Sequence, residues 1–73
     1  MSIDIRRAEW FRLNAKFDRT GVVSRQTIWH SWSKFAGDDR GTKREMILWI
    51  LALGIMKHPV CGDMYVGMRV LAP

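Results

Sequence analysis

The chain is poor in the residues that build covalent or metal chemistry. Cys61 is its only cysteine, which excludes an intramolecular disulfide and a cysteine-rich zinc site. His30 and His58 are the only histidines, and the glycines are scattered, with no glycine-rich phosphate cradle among them. No repeat, low-complexity tract or internal linker interrupts residues 1–73, which read as a single domain. Long apolar runs are missing too. The longest, Met46 to Met56, is broken by Gly54 and falls far short of the ~20 residues of a membrane span. Residues 1–20 alternate charged and apolar side chains, which is not the pattern of a secretory signal. Acidic residues are outnumbered, seven against twelve Lys and Arg, and the net charge is +5.

What is abundant is apolar bulk. Hydrophobic residues make up 48% of the chain, with four Trp, three Phe and five Met among them. Large aromatic side chains carry the most burial per residue, so the composition argues for a folded domain and against a disordered tail. A domain this small buries only a modest core, and here that core is concentrated in aromatics. The positive excess favours phosphate backbones or acidic protein surfaces; the alternative is a basic surface that meets only solvent. A lone cysteine fits a reducing, cytoplasmic compartment.

Turn signals divide the chain into four pieces. From Ile3 to Phe17 the apolar residues Trp10, Phe11, Leu13 and Phe17 supply one helical face, while Arg6, Arg7, Arg12 and Lys16 populate the others. Asp18-Arg19-Thr20-Gly21 reads as a stop and turn. Val22-Val23 follows as a short extended segment, and Ser24 is an N-cap for a second helix over Arg25–Ala36, closed by Gly37. After a polar loop, Thr42 and Glu45 form a T-x-x-E capping box ahead of a third helix over Lys43–Leu53. Met46, Trp49, Ile50 and Leu53 form one face of that helix, yet Ile47, Leu48 and Leu51 make much of the remainder apolar. Such a helix is either central in the core or half-covered by something outside the chain. Ile55-Met56 and Met64–Leu71 read as strands around the loop His58–Asp63. Met64, Val66, Met68 and Val70 alternate with Tyr65, Gly67, Arg69 and Leu71, so the former are expected on the buried face.

The expected fold class is therefore mainly α with a small antiparallel β-hairpin (α+β), in the winged helix-turn-helix order of three helices plus a wing. The short strand before the second helix is expected to pair with the hairpin edge. The expected core is Trp10, Phe17, Ile28, Trp32, Phe35, Met46, Ile50, Leu53, Val66 and Val70.

From Phe11 to Val70 the chain resembles the winged-helix domain at the C-terminus of phage, plasmid and poxvirus-type primase–helicases. The resemblance rests on Phe17, on Gly21-Val22-Val23-Ser24 leading into a helix, and on the Trp29-x-x-Trp32-x-x-Phe35 spacing. A loop into the third helix and Gly54 before a hairpin carrying Gly67-x-Arg69 complete it. It implies a DNA-binding or origin-recognition accessory domain, one for replication of a phage or mobile element, located in the host-cell cytoplasm if phage-encoded. No ATPase, primase or polymerase motif is present, so no catalysis carries over.

Duplex DNA is the first partner to weigh. In a winged helix the start of the third helix lies nearest the bases, and here it offers Arg40, Thr42, Lys43 and Arg44. Arg25 and Gln26 open the second helix within reach of the backbone, and Lys57 and His58 lie in the wing. Against base reading, the outer face beyond Arg44 offers Ile47, Leu48 and Leu51 instead of hydrogen-bonding groups. Those three residues inside a basic rim suggest a protein partner or a homodimer contact, as in a small phage-type inhibitor of a host protein. An enzyme is not expected. His58 and Cys61 are too few for a dyad with its orienting group, and with Asp63 they still fall short of a zinc site. No cofactor and no metal are expected.

Overall fold

The computed structural model describes residues 2–71. The Ser2 hydroxyl accepts the Asp4 backbone N–H at 3.1 Å and opens α1 (Ile3–Asn14), whose first turn carries Asp4 at the positive end of the helix dipole. β1 (Ala15–Ser24) follows without a gap. Ser24 then caps α2 (Arg25–Ala36) by accepting the Thr27 N–H at 3.0 Å, and Gly37, with φ of 63°, closes that helix. One turn of 3-10 helix at Gly37–Asp39 leads to the Thr42 cap of α3 (Lys43–Ala52). Both halves of the capping box form: the Glu45 N–H donates to Thr42 Oγ1 at 3.1 Å and the Thr42 N–H donates to Glu45 Oε1 at 2.9 Å. The hairpin comprises β2 (Met56–Lys57) and β3 (Met64–Val70).

The strands form one antiparallel sheet in the order β1-β3-β2. The described residues thus make three α-helices and a three-stranded antiparallel sheet, a mixed α+β arrangement compatible with a winged-helix-like small domain.

The first helix is shorter and the first strand longer than the sequence suggests. Helical periodicity carries to Phe17, but the chain leaves the helix at Asn14 because Ala15, Lys16 and Phe17 find strand partners in Val70, Arg69 and Met68. The Leu71 N–H, donating to the Asn14 carbonyl at 2.8 Å, extends this connection by one step. Ladder bonds to β3 outweigh a last helical turn, which propensity alone stabilises only weakly. Phe17 is consequently 61% exposed instead of core, with its ring 4.8 Å from that of Phe11.

The turn expected at Asp18–Gly21 is a bulge inside β1. Pairing runs as Asp18↔Gly67 and resumes as Val22↔Val66, so Arg19, Thr20 and Gly21 stand outside the ladder. Asp18 organises the bulge. Its carboxylate accepts the Thr20 N–H and hydroxyl, each at 3.0 Å, and Arg69 Nε at 2.9 Å. These contacts, the Thr20 N–H foremost, hold its carboxyl below the ordinary range. Across from it Gly67 adopts φ of 115° and resets the pleat. Tyr65 and Met68, which strict alternation would send to opposite faces, are therefore both buried, and Val66 and Val70 are only half-buried.

The core gathers Trp10, Ile28, Trp32, Met46 and Ile50, as expected, and adds Ala15, Val23, Ala36, Ile55, Tyr65 and Met68, while Phe35, Leu53 and Val70 pack at its margin. Both buried indoles find acceptors: Trp10 Nε1 donates to Ser31 Oγ at 3.0 Å and Trp32 Nε1 to the Arg40 carbonyl at 2.8 Å. Arg7, which periodicity assigns to solvent, is buried. Its charge is compensated by Asp4 at 2.8 Å and by the Trp32 ring, whose centroid lies 5.8 Å from the guanidinium carbon.

Gly21 is buried against the backbone of Met68, and a Cβ there would be driven into the Met68 carbonyl. Gly21→Ala is expected to destabilise the fold by on the order of 2 kcal/mol or more, whereas Gly62→Ala, facing open space, should leave it nearly unchanged. Urea unfolding of the two variants checks this; equal midpoints would mean that the bulge relaxes freely.

Candidate nucleic-acid interface

The site is built from two helix starts. Ser24 and Thr42 cap α2 and α3 with the same kind of side-chain-to-backbone bond, and the first residues of the two helices meet on one surface. Ser24, Arg25, Gln26, Lys43 and Asp63 line one hollow of about 400 Å³. Arg25, Lys43, Arg44, Ile47 and Leu48 line an adjoining groove of about 310 Å³. Arg25 and Lys43 belong to both.

Arg25 is the anchored member. Its Nη2 donates to the Tyr65 hydroxyl at 3.4 Å, Nη1 lies 3.9 Å from Asp63 Oδ1, and its backbone N–H donates to the Asp63 carbonyl at 2.8 Å. The hydrogen bond to Tyr65 is the main cause that pushes its pKa further up, in a group that is charged in any case. These contacts tie the start of α2 to the end of the hairpin loop. Lys43 and Arg44 are exposed, and neither is in an ion pair among the described residues.

Four of the residues weighed for nucleic-acid contact thus come together: Arg25, Gln26, Lys43 and Arg44. The other four do other work or stand apart. Thr42 spends its hydroxyl on the cap of α3, so it orients its neighbours. Arg40 is exposed, with its guanidinium carbon 5.9 Å from the Trp29 ring centroid and its carbonyl taken by Trp32. Lys57 is exposed on β2, opposite Tyr65. His58 organises the hairpin loop: its Nδ1 accepts the N–H groups of Val60 at 3.1 Å and Cys61 at 3.0 Å. No cluster of three or more His, Cys, Asp or Glu fit to hold a metal ion occurs among the described residues.

Asp63 and Tyr65 were not legible as part of this surface. The pattern of β3 sends Tyr65 to the polar face and makes Asp63 a turn residue. Nothing local signals that either meets Arg25, because the contact depends on how the hairpin lies against α2. No helix among the described residues is long and apolar enough to cross a membrane. Comparison with protein-family models, curated proteins and solved structures finds no match for the chain.

Glu45 holds the start of α3 in place. The Thr42 N–H first, then the Thr42 hydroxyl, and last the charge of Arg7 hold its carboxyl below the ordinary glutamate range. A carboxyl with a lowered folded pKa stabilises above its unfolded value, about 4.3, and that contribution is lost as pH falls from there through the folded value. Glu45→Gln keeps the reach of the capping box and removes the titration. The wild type should therefore lose melting temperature relative to Glu45→Gln as pH is lowered below about 4.3. Thermal melts at stepped pH test this; parallel curves would show that the carboxylate charge contributes nothing to the cap.

Proposed function

We propose that the chain is a non-enzymatic module that binds duplex DNA through the paired starts of α2 and α3. One observation carries the reading: Arg25, Gln26, Lys43 and Arg44 converge on one surface together with the N-terminal ends of two helices. Each helix start adds the partial positive charge of its dipole to the side-chain cations. Such a cluster suits the phosphate backbone, where counterion release supplies most of the affinity. The excess of basic residues, net +5, adds long-range attraction.

The chemistry of α3 also limits what the module reads. Past Arg44 its outward side chains include Leu48 and Leu51, which offer base edges no hydrogen bond. Binding is accordingly charge-driven, and sequence preference is weak. The resemblance to the C-terminal winged-helix domain of primase–helicases supports the same reading, with DNA binding as the shared element and a place in phage or mobile-element replication as its setting.

A double variant tests it. Lys43→Ala with Arg44→Ala should weaken binding to random-sequence duplex at least about tenfold at low salt and flatten the log–log salt dependence by about two units, near one for each phosphate no longer neutralised. The melting temperature should be unchanged, because both side chains are exposed. Fluorescence anisotropy at stepped salt gives both quantities. Unaltered affinity and slope would rule out this surface.

A further inference from the structure

We infer that the groove beside Arg44 docks an acidic amphipathic helix of a protein partner, with an apolar side chain seated on Ile47 and Leu48 and carboxylates meeting Arg25, Lys43 and Arg44. The docking does not require the nucleic-acid reading to hold. Leu48 is 54% exposed and Leu51 38%, with Ile47 half-buried beside them. Leu51 follows Leu48 by three positions and Ile47 by four, so the three residues form a ridge along α3, the shape that a second helix packs against. A groove of about 310 Å³ lies at the small end of the range that encloses an apolar group, and it accommodates one leucine-sized or phenylalanine-sized anchor.

Charge selects the occupant. Three cations and no acid line the groove. Asp63 lines only the neighbouring hollow, where it faces Arg25. A phosphate backbone matches the cations but leaves the apolar lining unused. A second copy of this chain would match the apolar ridge but bring Arg25, Lys43 and Arg44 against their own equivalents, and like charges juxtaposed at an interface are costly. An acidic helix with apolar residues at i, i+3 or i+4 and i+7 satisfies both parts at once.

The test uses the full chain, labelled with nitrogen-15, and a capped helical peptide of Glu with Leu on one face; a control peptide has Ser at each Leu position. The Leu peptide should bind and shift the amides of Arg25 and of α3. The Ser peptide should bind at least about tenfold more weakly, and Leu48→Ser and Arg44→Ala should each weaken the Leu peptide by a similar factor. Leu51→Ser serves as a second variant if Leu48→Ser alters the melting temperature. Equal affinity for the two peptides would reduce the groove to its charges and overturn the inference, as would shifts confined elsewhere or no binding at millimolar peptide. A dimer in sedimentation that Leu48→Ser dissociates would assign the ridge to a second copy and overturn it too. Duplex titration of Leu48→Ser separates the two readings. Retained DNA binding with abolished peptide binding is the expected pair, and peptide binding by a wild type that ignores duplex would remove only the DNA reading.

Discussion

The indole N–H of Trp32 donates to the carbonyl of Arg40 at 2.8 Å, and the position of the third helix depends on that bond. Trp32 is wholly buried: Trp10 meets it edge-on with centroids 6.4 Å apart, Phe35 stacks on it at 6.1 Å, and Arg7 lies over its ring. A buried indole that lost its acceptor would carry the full desolvation penalty of the N–H group. The acceptor lies in the loop between α2 and α3, a stretch with glycines at both ends, Gly37 and Gly41. By holding the loop to the core, Trp32 sets where Thr42 can cap α3, and hence where Lys43 and Arg44 emerge.

The sheet does the same for the other half of the surface. The Gly21 bulge and the Gly67 kink let Tyr65 and Met68 both turn inward. An inward Tyr65 places its hydroxyl beside Arg25, and Asp63, at the end of the hairpin loop, takes the Arg25 N–H. A bulge in one edge strand thus reaches, through a tyrosine, the first residue of α2. Bulges commonly re-aim side chains in this manner.

The resulting surface combines two chemistries that seldom serve one purpose. Its cations and helix starts suit phosphates, and the leucine ridge beside them suits an apolar anchor. Both follow from the orientation of α3, which spends Met46 and Ile50 on the core and has no polar residue to spare for Leu48 and Leu51. In a domain of 73 residues, where surface is large relative to interior, exposing leucines at a groove of opposite character to its rim is a structural cost that a binding partner would recover.

Local rules determined a good deal. The Ser24 and Thr42 caps, the Gly37 stop, the bounds of α2 and the hairpin around His58–Asp63 are all short-range chemistry, legible because a cap or a turn involves residues a few positions apart. Arg25, Gln26, Lys43 and Arg44 of the candidate surface were legible for the same reason, since basic residues at a capped helix start are a local pattern. The end of α1 at Asn14, the length of β1, the exposure of Phe17 and the burial of Arg7 and Tyr65 belong to tertiary structure. Each depends on a partner far along the chain: β3 for Ala15 to Phe17, Trp32 for Arg7, the bulge of β1 for Tyr65. Periodicity records which side chains could share a face, whereas strand pairing and core packing decide which of them do, because the free energy of burial is released only when distant segments meet.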